Sequence, residues 1–97
     1  MKRIVFLFLL AAAPALAGEK PNLGDVIVQC AACHGADGIA RSADVPHLAG
    51  QQELYLFNQI KAVRSGKRPH KEMRYMSRML TENEMREIAS HYAHMPR

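Results

Sequence analysis

No stretch of this chain alternates apolar and polar residues over a useful length, so β-strands have little support. Internal repeats, low-complexity tracts and linker-like segments are missing as well, which leaves room for one domain. The long apolar run, Ile4 to Ala13, is shorter than the roughly 20 residues a membrane span requires, and Pro14 interrupts it. No stable membrane anchor is therefore expected. Basic residues form no nucleic-acid-binding stripe, and Ser, His and Asp form no nucleophile motif, so neither nucleic-acid binding nor bond-making chemistry is indicated. Cysteine is scarce, with two in 97 residues.

The N-terminus reads MKRIVFLFLLAAAPALAGEK. Lys2 and Arg3 precede the apolar run, and a small-residue ALA follows it, the layout of a secretory signal cleaved between Ala17 and Gly18. Residues 1–17 are thus expected to be a signal peptide and residues 18–97 the working domain, placed in the periplasm. Removing 17 of the 97 residues leaves 80, and loss of Lys2 and Arg3 lowers the formal charge from +4 to +2. An 80-residue chain buries a modest core, so a staple or cofactor is expected to support it.

Three segments carry helical periodicity. The first spans about Leu23 to Ala32, with Asn22 as cap and Val26, Ile27 and Cys30 on one face. Another spans about Gln51 to Ser65, with a stripe of Leu56, Phe57, Ile60 and Val63 ending at Gly66, a natural left-handed stop. The last opens at Thr81, whose partner Glu84 completes a capping box, and repeats Met85, Ile88, Ala89 and Tyr92. Between them lie two long loops, Gly35 to Gly50 and Lys67 to Leu80. The fold class expected is all-α. Loops of that length are usually functional or disordered, so something should hold them.

Both cysteines fall in CAACHGADG, Cys30 to Gly38. Export makes a disulfide the default, yet a Cys30–Cys33 bridge would close a tiny ring and constrain the unfolded chain little. A thioredoxin-like pair expects a βαβ pattern, and a structural zinc site needs four ligands, for which no second C-x-x-C exists. The remaining reading is C-x-x-C-H, the attachment motif of c-type haem. On a helical turn both sulfurs point one way, towards the two vinyl groups of a single porphyrin, and His34 offers an imidazole to the iron.

The pieces CAACHGADG, VPHLAGQ, YLFNQIKAVRSGKR, EM and LTENEMREIASHY follow one another in the order found in class I cytochromes c. From Leu23 to Tyr92 the chain resembles the small bacterial single-haem members of that family, and either half of the di-haem periplasmic ones. The resemblance implies three main helices with long loops wrapped around one covalent haem c and its iron, attached through Cys30 and Cys33. It also implies that His34 is one axial ligand and that the Pro46 carbonyl accepts a hydrogen bond from its ring.

The sixth iron ligand would come from the second loop, where Met73, Met76, Met79 and His70 are candidates. The resemblance favours Met73, which follows an acidic residue and lies eight positions ahead of the Thr81 cap; Tyr75 stands where relatives often have glycine. Gly24 and Tyr92 are compared with the family's crossing of first and last helices, although Val26 and Ile27 stand where an aromatic is usual. Leu48, Tyr55, Leu56 and Ile60 are expected to line the haem or pack behind it.

The function implied is a one-electron carrier, not an enzyme, monomeric, working between redox partner proteins such as a reductase, oxidase or dehydrogenase. A basic cluster from Lys61 to Arg78 reads first as a solvated face; any of it that rings an exposed haem edge would steer acidic partners. Two other readings compete. Met73, Met76 and Met79, with His91, His94 and Met95, offer soft ligands suited to Cu(I) delivery. A five-coordinate haem that binds gas or reduces peroxide would follow if no loop methionine reached the iron.

Overall fold

The computed structural model describes residues 3–5, 7 and 22–97. Of the proposed signal segment, 1–17, thirteen residues and the expected cleavage site lie outside them. Among the described residues there are four α-helices and no strand, and no helix is long and apolar enough to cross a membrane.

Helix α1, Leu23–His34, starts where the Asn22 side chain accepts the Asp25 N–H at 2.9 Å. It runs two residues further than the periodicity indicates, so Cys30, Cys33 and His34 all lie on its last turns. Helix α2, Glu53–Ser65, begins two residues later than expected and ends at left-handed Gly66. Its Leu56, Phe57 and Val63 are buried, as the stripe predicts.

The second loop is not a loop throughout. Lys71–Ser77 forms a short helix, α3. His70 caps it by accepting the Met73 N–H through Nδ1 at 3.2 Å, and the buried Ser77 hydroxyl donates to the Met73 carbonyl at 2.7 Å. Lys, Glu, Met and Arg are good helix formers. Seven residues are too few to show a helical period, which is why the sequence reads as loop. Helix α4, Glu82–Ala93, has the expected capping box in both directions: Glu84 N–H to Thr81 Oγ1 at 3.2 Å, and Thr81 N–H to Glu84 Oε1 at 3.0 Å.

The core joins Val26 of α1 and Leu56 and Phe57 of α2 to Met85, Ile88, Ala89 and Tyr92 of α4. α4 packs on both α1 and α2, and α2 packs in turn on α3. Gly24 is not what admits the crossing: a Cβ there would meet the Asn22 side chain alone. The small residue in the shared core is Ala89, fully buried. Two ties link α2 to the first residue of α4 and to the turn before it. Lys61 pairs with Glu82 at 3.3 Å, and Arg64 donates to the Leu80 carbonyl at 2.6 Å.

The 35–50 segment is folded back on itself at Gly38, whose carbonyl accepts both the Leu48 and Ala49 N–H groups, at 2.8 and 3.0 Å. Gly38 has φ of 73°, and a Cβ there would come within 2.9 Å of Ala49. No side chain fits that approach. The Gly50 N–H donates to the Tyr92 carbonyl at 3.0 Å, which fastens the far end of the segment to α4.

Candidate haem site

Helical geometry places Cys30 and Cys33 nearly one turn apart at the end of α1, both as free thiols. Cys33 is exposed and Cys30 is half-buried against the core. Burial pushes the Cys30 thiol above its ordinary pKa, a shift only partly offset by a backbone hydrogen bond. It is therefore held as a neutral thiol.

His34 is 7% exposed, a histidine set into the protein at the base of the folded-back segment. Its Nδ1 lies 2.9 Å from the Pro46 carbonyl oxygen. A carbonyl can only accept, so Nδ1 carries the proton and Nε2 keeps its lone pair. Among the described residues nothing hydrogen-bonds Nε2, and it is not sealed from solvent. This is the tautomer and orientation that a metal-binding imidazole needs.

Tyr92 belongs to the core against which Cys30 packs. It is 1% exposed, and its hydroxyl is the buried side-chain polar atom without a partner among the described residues. Burial foremost, with Cys30 nearby as the second cause, pushes its pKa up to about 12.

The methionine candidates occupy unlike settings. Met73 and Met76 stand one turn apart on α3, both half-buried, whereas Met79 beyond the helix is 76% exposed. His70 is already engaged: its Nδ1 caps α3 and lies 3.6 Å from a Glu72 carboxylate oxygen. His94 Nδ1 bonds the Ser90 carbonyl at 2.7 Å, and His91 stacks edge-on against Tyr92. Of the expected lining residues, Leu56 is buried, Leu48 and Ile60 are half-buried against the core, and Tyr55 is 47% exposed.

A helix that ends in two free thiols and an imidazole, with that imidazole oriented by a loop carbonyl, fits covalent haem better than any other prosthetic group. The thiols supply thioether positions, Nε2 supplies a ligand atom, and no disulfide competes for the sulfurs. Together with the all-α fold, this defines the class as a c-type haem protein.

Comparison with known proteins agrees. The cytochrome c family model matches residues 21–95. The chain is 41% identical over 64 residues to cytochrome c4 of Pseudomonas aeruginosa, covering 66% of this chain and 32% of that protein. It is 36% identical over 72 residues to the thiosulfate dehydrogenase electron acceptor of Stutzerimonas stutzeri, covering 71% and 33%. Among solved structures, cytochrome c4 of Acidithiobacillus ferrooxidans superposes with a TM-score of 0.65 at 29% identity, covering 68% of this chain and 38% of that one. The chain spans about a third of the length of these curated relatives. It belongs to the cytochrome c family, whose members hold haem c covalently with its iron.

Proposed function

We propose that this protein is a periplasmic carrier of single electrons, with one haem c joined to Cys30 and Cys33 and with iron between His34 and Met73. The observation that carries the reading is the 2.9 Å bond from His34 Nδ1 to the Pro46 carbonyl. It leaves Nε2 as the ligand atom and raises its basicity. When bound, the haem supplies an iron that cycles between ferric and ferrous states. The protein's part is to keep both axial groups in place through the cycle, so that little rearrangement accompanies each transfer. A thioether opposite an imidazole favours the ferrous state and raises the reduction potential.

Export by cleavage after Ala17 would put the chain in the periplasm. There it would act as a monomer, taking electrons from a dehydrogenase or reductase and passing them to an oxidase or reductase. The relatives named as acceptors for thiosulfate dehydrogenase support a dehydrogenase as donor. Exposed basic residues around α3, among them Lys71, Arg74 and Arg78, suit an acidic partner surface.

Paired ferric and ferrous absorption spectra of the exported protein test the ligation. A thioether-to-iron charge-transfer band is expected in the ferric state and should vanish in Met73→Ala. An unchanged spectrum in that variant clears Met73, and immediate binding of carbon monoxide or cyanide by wild type contradicts six-coordination.

A further inference from the structure

Pro46 presents the carbonyl that orients His34, yet proline has no N–H by which the backbone can anchor it. Its neighbours must do so. On one side the Leu48 and Ala49 N–H groups are fixed to the Gly38 carbonyl, and on the other the Val45 N–H reaches the Ser42 carbonyl at 3.2 Å. Between these ties the two limbs of the segment are joined by a side chain. The Ala40 N–H donates to His47 Nδ1 at 2.9 Å, and among the described residues it has no backbone acceptor. Ala40 is buried, so this amide has little recourse to water.

We propose that His47 is a positioning residue for the iron ligand. By accepting the Ala40 N–H it clamps the limbs of the segment together and so fixes the adjacent Pro46 carbonyl against His34. The inference rests on His34 being an axial ligand. It requires His47 in the Nε2–H tautomer, because Nδ1 must accept. Loosening the clamp lengthens the His34 Nδ1–H···O=C bond, makes the imidazole less basic and disfavours ferric iron. The reduction potential therefore rises. A residue that merely fills space would leave it unchanged.

The test compares haem-loaded wild type with His47→Asn and His47→Phe. Asparagine keeps a side-chain acceptor of similar reach; phenylalanine keeps a ring and loses the acceptor. Wild type and H47N should share one potential in voltammetry, and H47F should lie above both. Amide exchange at Ala40 should quicken about three- to tenfold in H47F alone, as expected for losing one hydrogen bond. Should H47F not accumulate as holoprotein, nitrogen-15 shifts of His47 in ferrous wild type decide the matter. A protonated Nδ1 there overturns the proposal, as does an H47F potential equal to wild type or an H47N potential displaced as far as that of H47F. Failure of the ligation reading is separately visible, since the ferrous spectrum would then lack His34 ring protons strongly shifted by the porphyrin ring current.

Discussion

Replacing Tyr92 with phenylalanine should stabilise the protein, although Tyr92 is among its most deeply buried side chains. The ring contributes to the core with Met85, Ile88 and Ala89, and phenylalanine retains that packing. What it removes is a buried hydroxyl without a partner. Holding such a group away from water costs about 1–3 kcal/mol. A small void offsets part of the gain, so Tyr92→Phe should gain about 1 kcal/mol at pH 7, or roughly 4–8 °C in Tm for a domain of this size.

A second signature lies at alkaline pH. Folded Tyr92 holds its proton up to about 12, against an ordinary value of 10. Between those values the unfolded phenol ionises first, so the unfolded chain binds fewer protons and stability falls as pH rises. Below pH 10 this contribution is level. At about 1.4 kcal/mol per pKa unit, wild type should lose up to about 2–3 kcal/mol across pH 10–12 that the variant keeps. Thioether formation removes the ionisable thiol of Cys30, the lesser cause, so burial alone acts in the holoprotein and the loss falls short of that upper figure. Urea unfolding of both holoproteins at pH 7 and 11, followed by far-ultraviolet circular dichroism, measures the two effects. A variant less stable than wild type at pH 7 by more than about 0.5 kcal/mol would refute the reasoning, because the hydroxyl would then have a partner.

Gly38→Ala places a β-carbon in the left-handed region and within 2.9 Å of Ala49, so a loss of about 2–4 kcal/mol in urea unfolding is expected, with faster amide exchange at Leu48 and Ala49. Thr81→Ala removes one half of the capping box and should cost about 1 kcal/mol, while Thr81→Ser should recover most of it. Met85, with no exposed surface, lies between α4 and the core; Met85→Ala should cost about 2–5 kcal/mol, read from the urea midpoint at an unchanged slope.

What could be read from the sequence follows from how local each interaction is. The C-x-x-C-H run lies on adjoining residues of one helix end, so its geometry is implied by the string itself. The Thr81–Glu84 box and the Met85 to Tyr92 stripe are local in the same way, and the structure has both. Helix α3 escaped because its signals are a histidine cap and a serine bonding back one turn, neither of which produces periodicity. The bond between His34 and Pro46 spans twelve positions and was inferred from family resemblance, not from spacing. The link between Ala40 and His47 had no sequence signal at all, since an isolated histidine in a loop resembles any surface histidine. The crossing of first and last helices is likewise implied by family resemblance: α1 does pack on α4, with Val26 and Tyr92 in one core, while a β-carbon at Gly24 would meet only the Asn22 side chain.

Helix α3 bears on how the proposed distal ligand would behave. A methionine in an irregular loop can follow the iron as its charge changes, and each movement adds to the barrier for electron transfer. Met73 instead has its N–H bonded to His70 and its carbonyl bonded to the buried Ser77 hydroxyl, so its backbone is fixed from both sides. On the proximal side His34 is fixed through Pro46 and the folded-back segment, which Gly50 ties to the end of α4. Helix α4 also contacts α2, on which α3 rests. The two proposed axial residues are thus both tied to α4, one through the folded-back segment and the other through α2, although they come from segments far apart in sequence. A scaffold of that kind favours fast exchange of electrons at a steady potential, and it offers little of the distal mobility that binding an external ligand to the iron would require.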